Sequence, residues 1–303
     1  MTSIMWFKNL YLFKLNTEFS HSAEDLHEQL GKKIFAPCSA GQRESTGWTS
    51  PLGKNSESLT HAANGYILIT MARQEKILPA SVIREELEER VDDIQRKEKR
   101  KVSNAEKKEL REEIEFELLP RAFARTQRFD AWIDPRGGWI VVNTSASARA
   151  EELTELLREC IGSLPSSLPE TEVPAIITMT SWLKDEKAPK PFMLGNECEL
   201  KSQDEDKSIA SFRKHDLISD EIQSNLDSGK MATKLGLEWD EKISFVLTED
   251  FQIKKLKFLD ILAEKLDEED PQTHEEHIDI EFALMTGEVS RLLVDLVKEV
   301  SSN

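Results

Sequence analysis

SVIREELEERVDDIQRKEKRKVSNAEKKELREEIEFELL, residues 81–119, is a long, charged, helix-patterned stretch between strand-like segments, and that interruption decides the fold. Val82, Leu87, Val91 and Ile94 keep helical spacing; Lys, Arg and Glu then dominate until Leu110, Ile114, Leu118 and Leu119 resume it. Ser103-Asn104 followed by Glu106 reads as a fresh N-cap, so the stretch predicts two helices with a polar joint, projecting from a sheet. Pro120 closes it. On either side lie YILITMA (66–72), a strand reached through the turn pair Asn64-Gly65, and AWIDPRGGWIVVN (131–143), a hairpin around Pro135-Arg136-Gly137-Gly138.

Outward from this core, Ile4 to Leu15 reads as a buried strand, and Ser22 caps a short helix ending before Gly31. Residues 36–58 read as loop anchored by Trp48. Ser145 or Ser147 caps a helix to Cys160, and the proline-rich 163–174 reads as a linker. Ile176 to Leu183 is expected as a strand, 195–207 as irregular, and Ser219 to Leu226 as a short helix. Met231 to Trp239 alternates, with Lys234 and Glu238 opposite Leu235, Leu237 and Trp239; Ile243 to Leu247 and Phe251 to Leu259 continue as strands. An acidic run from Glu264 to Glu281 precedes an amphipathic C-terminal helix from Val289 to Val300. The expected class is α+β, an elongated multi-lobed protomer with antiparallel sheets and a projecting helical lobe. Its parts are a sheet lobe (1–75 and 131–162), a helical tip (76–130), the linker (163–174) and a C-terminal α+β lobe (175–303).

Charge is unevenly placed. The chain carries 40 Lys+Arg against 57 Asp+Glu, net −17, yet residues 96–128 hold eleven basic residues against seven Glu, leaving −21 elsewhere. A surface that repels polyanions but carries a basic strip can direct a polyanion to one place. A solvated helix with interleaved Lys and Glu gives the same composition. The candidate phosphate contacts are Arg96, Lys97, Lys99, Arg100 and Lys101 at the joint, and Arg121, Arg125 and Arg128, which a short helix after Pro120 would align on one side. Lys254, Lys255 and Lys257 follow, with Lys255 and Lys257 expected on one strand face opposite Lys254 and Leu256. Edge-strand lysines can also serve only to block aggregation.

Catalytic signatures are missing from the sequence. His274-Glu275-Glu276-His277 is not HExxH, Gly137-Gly138 lacks the Lys-Ser/Thr of a phosphate loop, and no GxSxG occurs. Three scattered cysteines (Cys38, Cys160, Cys198) read as free thiols of a reducing cytoplasm. No cofactor, metal, signal peptide or membrane span is expected, and the chain reads as a soluble, intracellular non-enzyme.

Seven segments together, MWFKNLYLFKL (5–15), LTHAANGYILI (59–69), EKILPASVI (75–83), LLPRAFAR (118–125), GKMATKLGLEWDEKISFVL (229–247), IKKLKFLD (253–260) and FALMTGEVSRLL (282–293), run in order over almost the full length. In them the chain resembles the recombination-associated RdgC family of bacterial nucleoid proteins. The resemblance implies a homodimer of two curved protomers that meet at both ends to enclose a ring. It further implies binding of double-stranded DNA with little sequence preference, antagonism of RecA-promoted strand exchange, and a place in the cytoplasm on the nucleoid. Phe123, in the matched LLPRAF, falls at a lobe tip and becomes a contact between protomers. Lys214, in SFRKHD, matches a basic position near the other end of the opening, and His215 stands where the family would carry an amide-bearing residue. The rival reading is an acidic protein-interaction scaffold that docks basic partners without binding DNA.

Overall fold

A computed structural model of the chain describes residues 6–53, 55–259 and 273–301. Two antiparallel sheets carry the architecture, which is α+β as the pattern predicts. The first has seven strands: β1 (Tyr11–Leu15), β2 (Glu44–Thr49), β3 (Thr60–Ala63), β4 (Tyr66–Ile77), β5 (Phe123–Asp134), β6 (Trp139–Val142) and β7 (Ser166–Ser167), in the order β2-β4-β5-β6-β1-β7. β3 joins β4 through Asn64 and Gly65, both at positive φ, and covers its first half; β2 covers the second half. β2 lies inside the stretch expected to be loop. Its polar sequence, ESTGWT, gives no strand signal, and only the fully buried Trp48 betrays it.

Both faces of this sheet are covered. Phe13, Ile69, Met71, Ile133 and Ile140 point to one side, under α1 (Ala23–Leu30) and α4 (Ser147–Ile161). Leu12, Leu68, Trp132 and Val141 point to the other and join a core shared with the C-terminal half. That period-2 split is the alternation expected of strands buried on both faces.

The second sheet, ordered β12-β11-β10-β8-β9, contains β8 (Phe192–Ser202), β9 (Ile209–Arg213), β10 (Lys230–Trp239), β11 (Ile243–Thr248) and β12 (Ile253–Phe258). α5 (Ala175–Lys184), α6 (Asp220–Asp227) and α7 (His274–Ser301) contribute to the shared core on one of its faces. Two expectations fail here. Residues 176–183 form a helix rather than a strand: a short apolar run fits either, and Pro174 at the N-cap starts a helix whose apolar residues are buried. Residues 195–202 are strand, not irregular chain, since cross-strand pairing with β10 and β9 outweighs their polarity. Much of the acidic run before α7, residues 264–272, lies outside the described residues. In 163–174, Leu164 is buried and Ser166–Ser167 pair with β1.

The charged stretch folds as α2 (Ala80–Glu98) and α3 (Asn104–Leu118), an antiparallel hairpin. Ser103 caps α3, accepting from the Glu106 amide while the Glu106 carboxylate returns to the Ser103 amide. Between the sheets the chain before β1 acts as a seam. Leu10 and Ile253 exchange backbone hydrogen bonds of 2.8 and 3.2 Å, and the Leu12 amide donates to Gln252 Oε1 at 2.7 Å.

Candidate nucleic-acid interface

At the tip hairpin, charge is dense and six of the ten cations are ion-paired. Residues 80–119 hold ten basic side chains against thirteen acids, so the hairpin is net −3. Arg96 and Lys97 both reach Asp93, at 3.2 and 3.7 Å. Arg100 binds Glu98 at 2.6 Å and clasps Glu106 with two nitrogens, closing the joint between the helices. This clasp holds the Glu106 carboxyl down to about 2 and drives the Arg100 guanidinium up. Lys99, at φ 51°, ends α2 in the left-handed conformation; it and Lys101 form no ion pair among the described residues.

Arg121, Arg125 and Arg128 do not share a helix face. Pro120 lies in a 3-10 turn over Leu119–Arg121, and β5 begins at Phe123. The extended pairing of β5 with β4 runs from Ile77↔Phe123 to Ile67↔Ile133, and it overrides any local helical preference. In that register Arg125 opposes Glu75, and Arg128 opposes Ala72 on the opposite face. Arg128 thus lies on the side of the sheet that faces the second sheet. It donates to the Ser50 carbonyl at 2.7 Å, and its charge opposes the burial that pushes the Asp130 carboxyl up. Phe123 is 85% exposed beside Ile77, an apolar pair at the far end of the longest strands. On the second sheet, Lys214, at φ 52°, follows edge strand β9. His215 lies 3.4 Å from the Ser219 hydroxyl and 3.6 Å from Glu221.

The second sheet supplies what the tip lacks. Its face away from the helices is open, and β12 makes it cationic. Ile253 and Leu256 are buried, while the ladder shifts register between Ser244↔Lys257 and Val246↔Lys254, and Lys255 takes φ 53°. A bulge of this kind puts two residues opposite one and re-aims side chains. Lys254 and Lys257, three residues apart, therefore both oppose open-face residues, and Lys255 joins them at the same depressions, each of about 170 Å³. The expected split, with Lys254 opposite the other two, is thereby corrected: regular alternation does not survive the extra residue.

Neighbouring strands extend the strip. Lys201, Lys234 and Arg213 lie on this face with Glu197, Glu199 and Glu238, giving six cations against three carboxylates, or +3 on a chain of −17. Lys234 pairs with Glu199 at 2.7 Å and Lys255 pairs with Glu197. Burial raises the Glu199 carboxyl, but hydrogen bonds from Lys234 and Thr233 outweigh it and hold the group below its ordinary range. Among the described residues, Lys201, Lys254, Lys257 and Arg213 form no ion pair. Sequence reading missed Lys201 and Arg213 because their strands carry no apolar run, and passed over Lys234 although its alternation places it outward.

Among the described residues, no group of three or more His, Cys, Asp or Glu is placed to hold a metal, and no helix is long and apolar enough to cross a membrane. The side chains of His274 and Glu275 lie outside the described residues; His277 pairs with Glu281 within α7. Cys160 and Cys198 are buried, and burial pushes the Cys198 thiol up to about 12, where it is protonated and inert at neutral pH.

The sequence model of a family described as "Putative exonuclease, RdgC" matches residues 5–302. The chain belongs to the RdgC family. Its curated relatives are named recombination-associated protein RdgC. That of Colwellia psychrerythraea is 40% identical over 297 residues, covering 98% of this chain and 97% of the relative. Those of Tolumonas auensis and Yersinia enterocolitica are 40% and 39% identical, with 97% of both chains covered in each case. Family membership ties the protein to recombination, and the relatives' names make no catalytic claim.

Proposed function

We propose that the protein binds double-stranded DNA without reading its bases, as a homodimer that encircles the duplex on the nucleoid and restrains RecA-type strand exchange. The observation that carries this reading is the open face of the second sheet. Six cations gathered against three carboxylates, four of the six without an ion pair among the described residues, form a phosphate-binding strip on an otherwise anionic protein. Phosphate neutralisation releases counterions and needs no base contact. The anionic remainder repels DNA from other surfaces and so directs it to this strip.

Two features on different sheets suit closure of a ring: the exposed Phe123 with Ile77 at the tip, and edge strand β9 with Lys214 and His215. Occupied duplex then obstructs filament growth and strand invasion. Engagement of roughly six phosphates gives log K against log salt a slope of about −5. A salt-independent affinity, or no retention on duplex at moderate salt, would overturn the reading and favour an acidic scaffold that docks basic proteins. Phe123→Ala should lower the solution mass towards the monomer and reduce retention on closed circular DNA more than on short linear DNA. The family description favours a second reading, an exonuclease. Incubation of linear duplex with the protein and a divalent metal separates the two: unchanged DNA length supports binding alone, and shortened strands support the nuclease.

A further inference from the structure

The bulge that gathers the lysines of β12 leaves a backbone N–H without a ladder partner, as bulges do. That donor is satisfied from outside the sheet: the Lys255 amide donates to Asn9 Oδ1 at 3.3 Å. Asn9 is itself bracketed, because Asn143 Oδ1 accepts from both the Lys8 amide at 3.0 Å and the Asn9 amide at 3.4 Å. The Lys8 carbonyl accepts from the Leu256 amide at 2.8 Å, and the Asn143 amide donates to the Asp130 carbonyl, also at 2.8 Å. A continuous run of hydrogen bonds therefore leads from β5, two residues beyond Arg128, through Asn143 and Lys8 to the bulge. Phe7 and Leu10 on either side are buried, whereas Lys8 is exposed and pairs with no carboxylate among the described residues.

We propose that Lys8 is a phosphate contact that carries the cationic strip across the seam between the two sheets, and that Asn143 and Asn9 are its positioning residues. This rests on the duplex-binding reading above and names one more phosphate contact for it, at the border of the strip. The backbone of Lys8 is held on both sides, by Asn143 and by Leu256, so its ammonium starts from a fixed base beside the bulge of β12. Lysine needs no more than this, since it meets phosphate as a point charge on a flexible stem.

The test is amine-reactive footprinting of the full-length protein, free and bound to a random-sequence duplex, read by peptide mass. Duplex should protect Lys8 together with Lys254 and Lys257. Lys8→Gln should lower the salt slope by about 0.9, the share of one phosphate, with thermal stability and solution mass unchanged. Asn143→Ala, which keeps Lys8 but removes its bracket, should diminish protection at Lys8 while Lys257 stays protected. Equal reactivity of Lys8 with and without duplex, while Lys254 and Lys257 are protected, overturns this inference alone. Absence of protection at every lysine overturns the duplex reading with it.

Discussion

The tip hairpin and the open face of the second sheet hold nearly the same kinds of side chain and put them to opposite use. In the hairpin, cations are close in sequence, and helical spacing brings a carboxylate to five of the ten: Glu86 to Arg90, Asp93 to Arg96 and Lys97, Glu112 to Lys108, Glu115 to Arg111. Exposed pairs of this sort contribute little stability, roughly 0–1 kcal/mol each, yet they occupy the charge. In the sheet, cations come from distant positions, and one bulge turns three lysines to a common side. Charge density along a chain and charge available to a ligand are different quantities, and secondary structure converts one into the other.

The sharpest way to separate the regions is through their cores. Leu10→Ala, at the seam where both sheets share one core, should destabilise the whole protein by about 2–5 kcal/mol, read by chemical denaturation. Ile114→Val, inside the hairpin, should cost only about 0.5–1.5 kcal/mol. Next comes the bulge. Lys255→Val and Lys255→Gly each delete one cation, but a β-branched residue resists the left-handed conformation, at about 1–2 kcal/mol, whereas glycine adopts it freely. Duplex affinity should therefore fall further in the valine variant; equal losses would mean that the bulge does not aim the neighbouring lysines.

Glu197→Gln releases Lys255 from its partner and should strengthen duplex binding up to about fivefold, the worth of one exposed ion pair. The smallest effect belongs to the joint. Glu106, held at about 2 when folded against an ordinary 4.5, stabilises fully above pH 4.5 and loses that contribution as pH falls towards 2. Glu106→Gln should flatten acid unfolding across that window and leave DNA binding untouched.

Much of this architecture is legible in the chain. The Ser103 capping box, the Asn64-Gly65 turn and the 131–143 hairpin announce themselves because their signals are local. What is not legible depends on partners far away in sequence. β2 and β8 are polar strands that exist because β4 and β10 pair with them. Arg121, Arg125 and Arg128 look helical at spacings of four and three until a twelve-residue strand is seen to pair along its length. The bulge at Lys255 has no sequence signature, since glycine or asparagine would ordinarily mark a positive φ. Lys8 carries no signature of its own: in sequence it is one of two cations that break the apolar segment MWFKNLYLFKL.

Which cations meet phosphate is read directly by the salt dependence of duplex binding. Lys254, Lys255 and Lys257 changed together to Gln should lower the slope of log K against log salt by about 2.7, three phosphates' worth, while Arg96, Lys97 and Arg100 changed together should lower it by less than about 1. A larger fall from the hairpin variant than from the sheet variant would contradict the placement of the phosphate contacts on the second sheet.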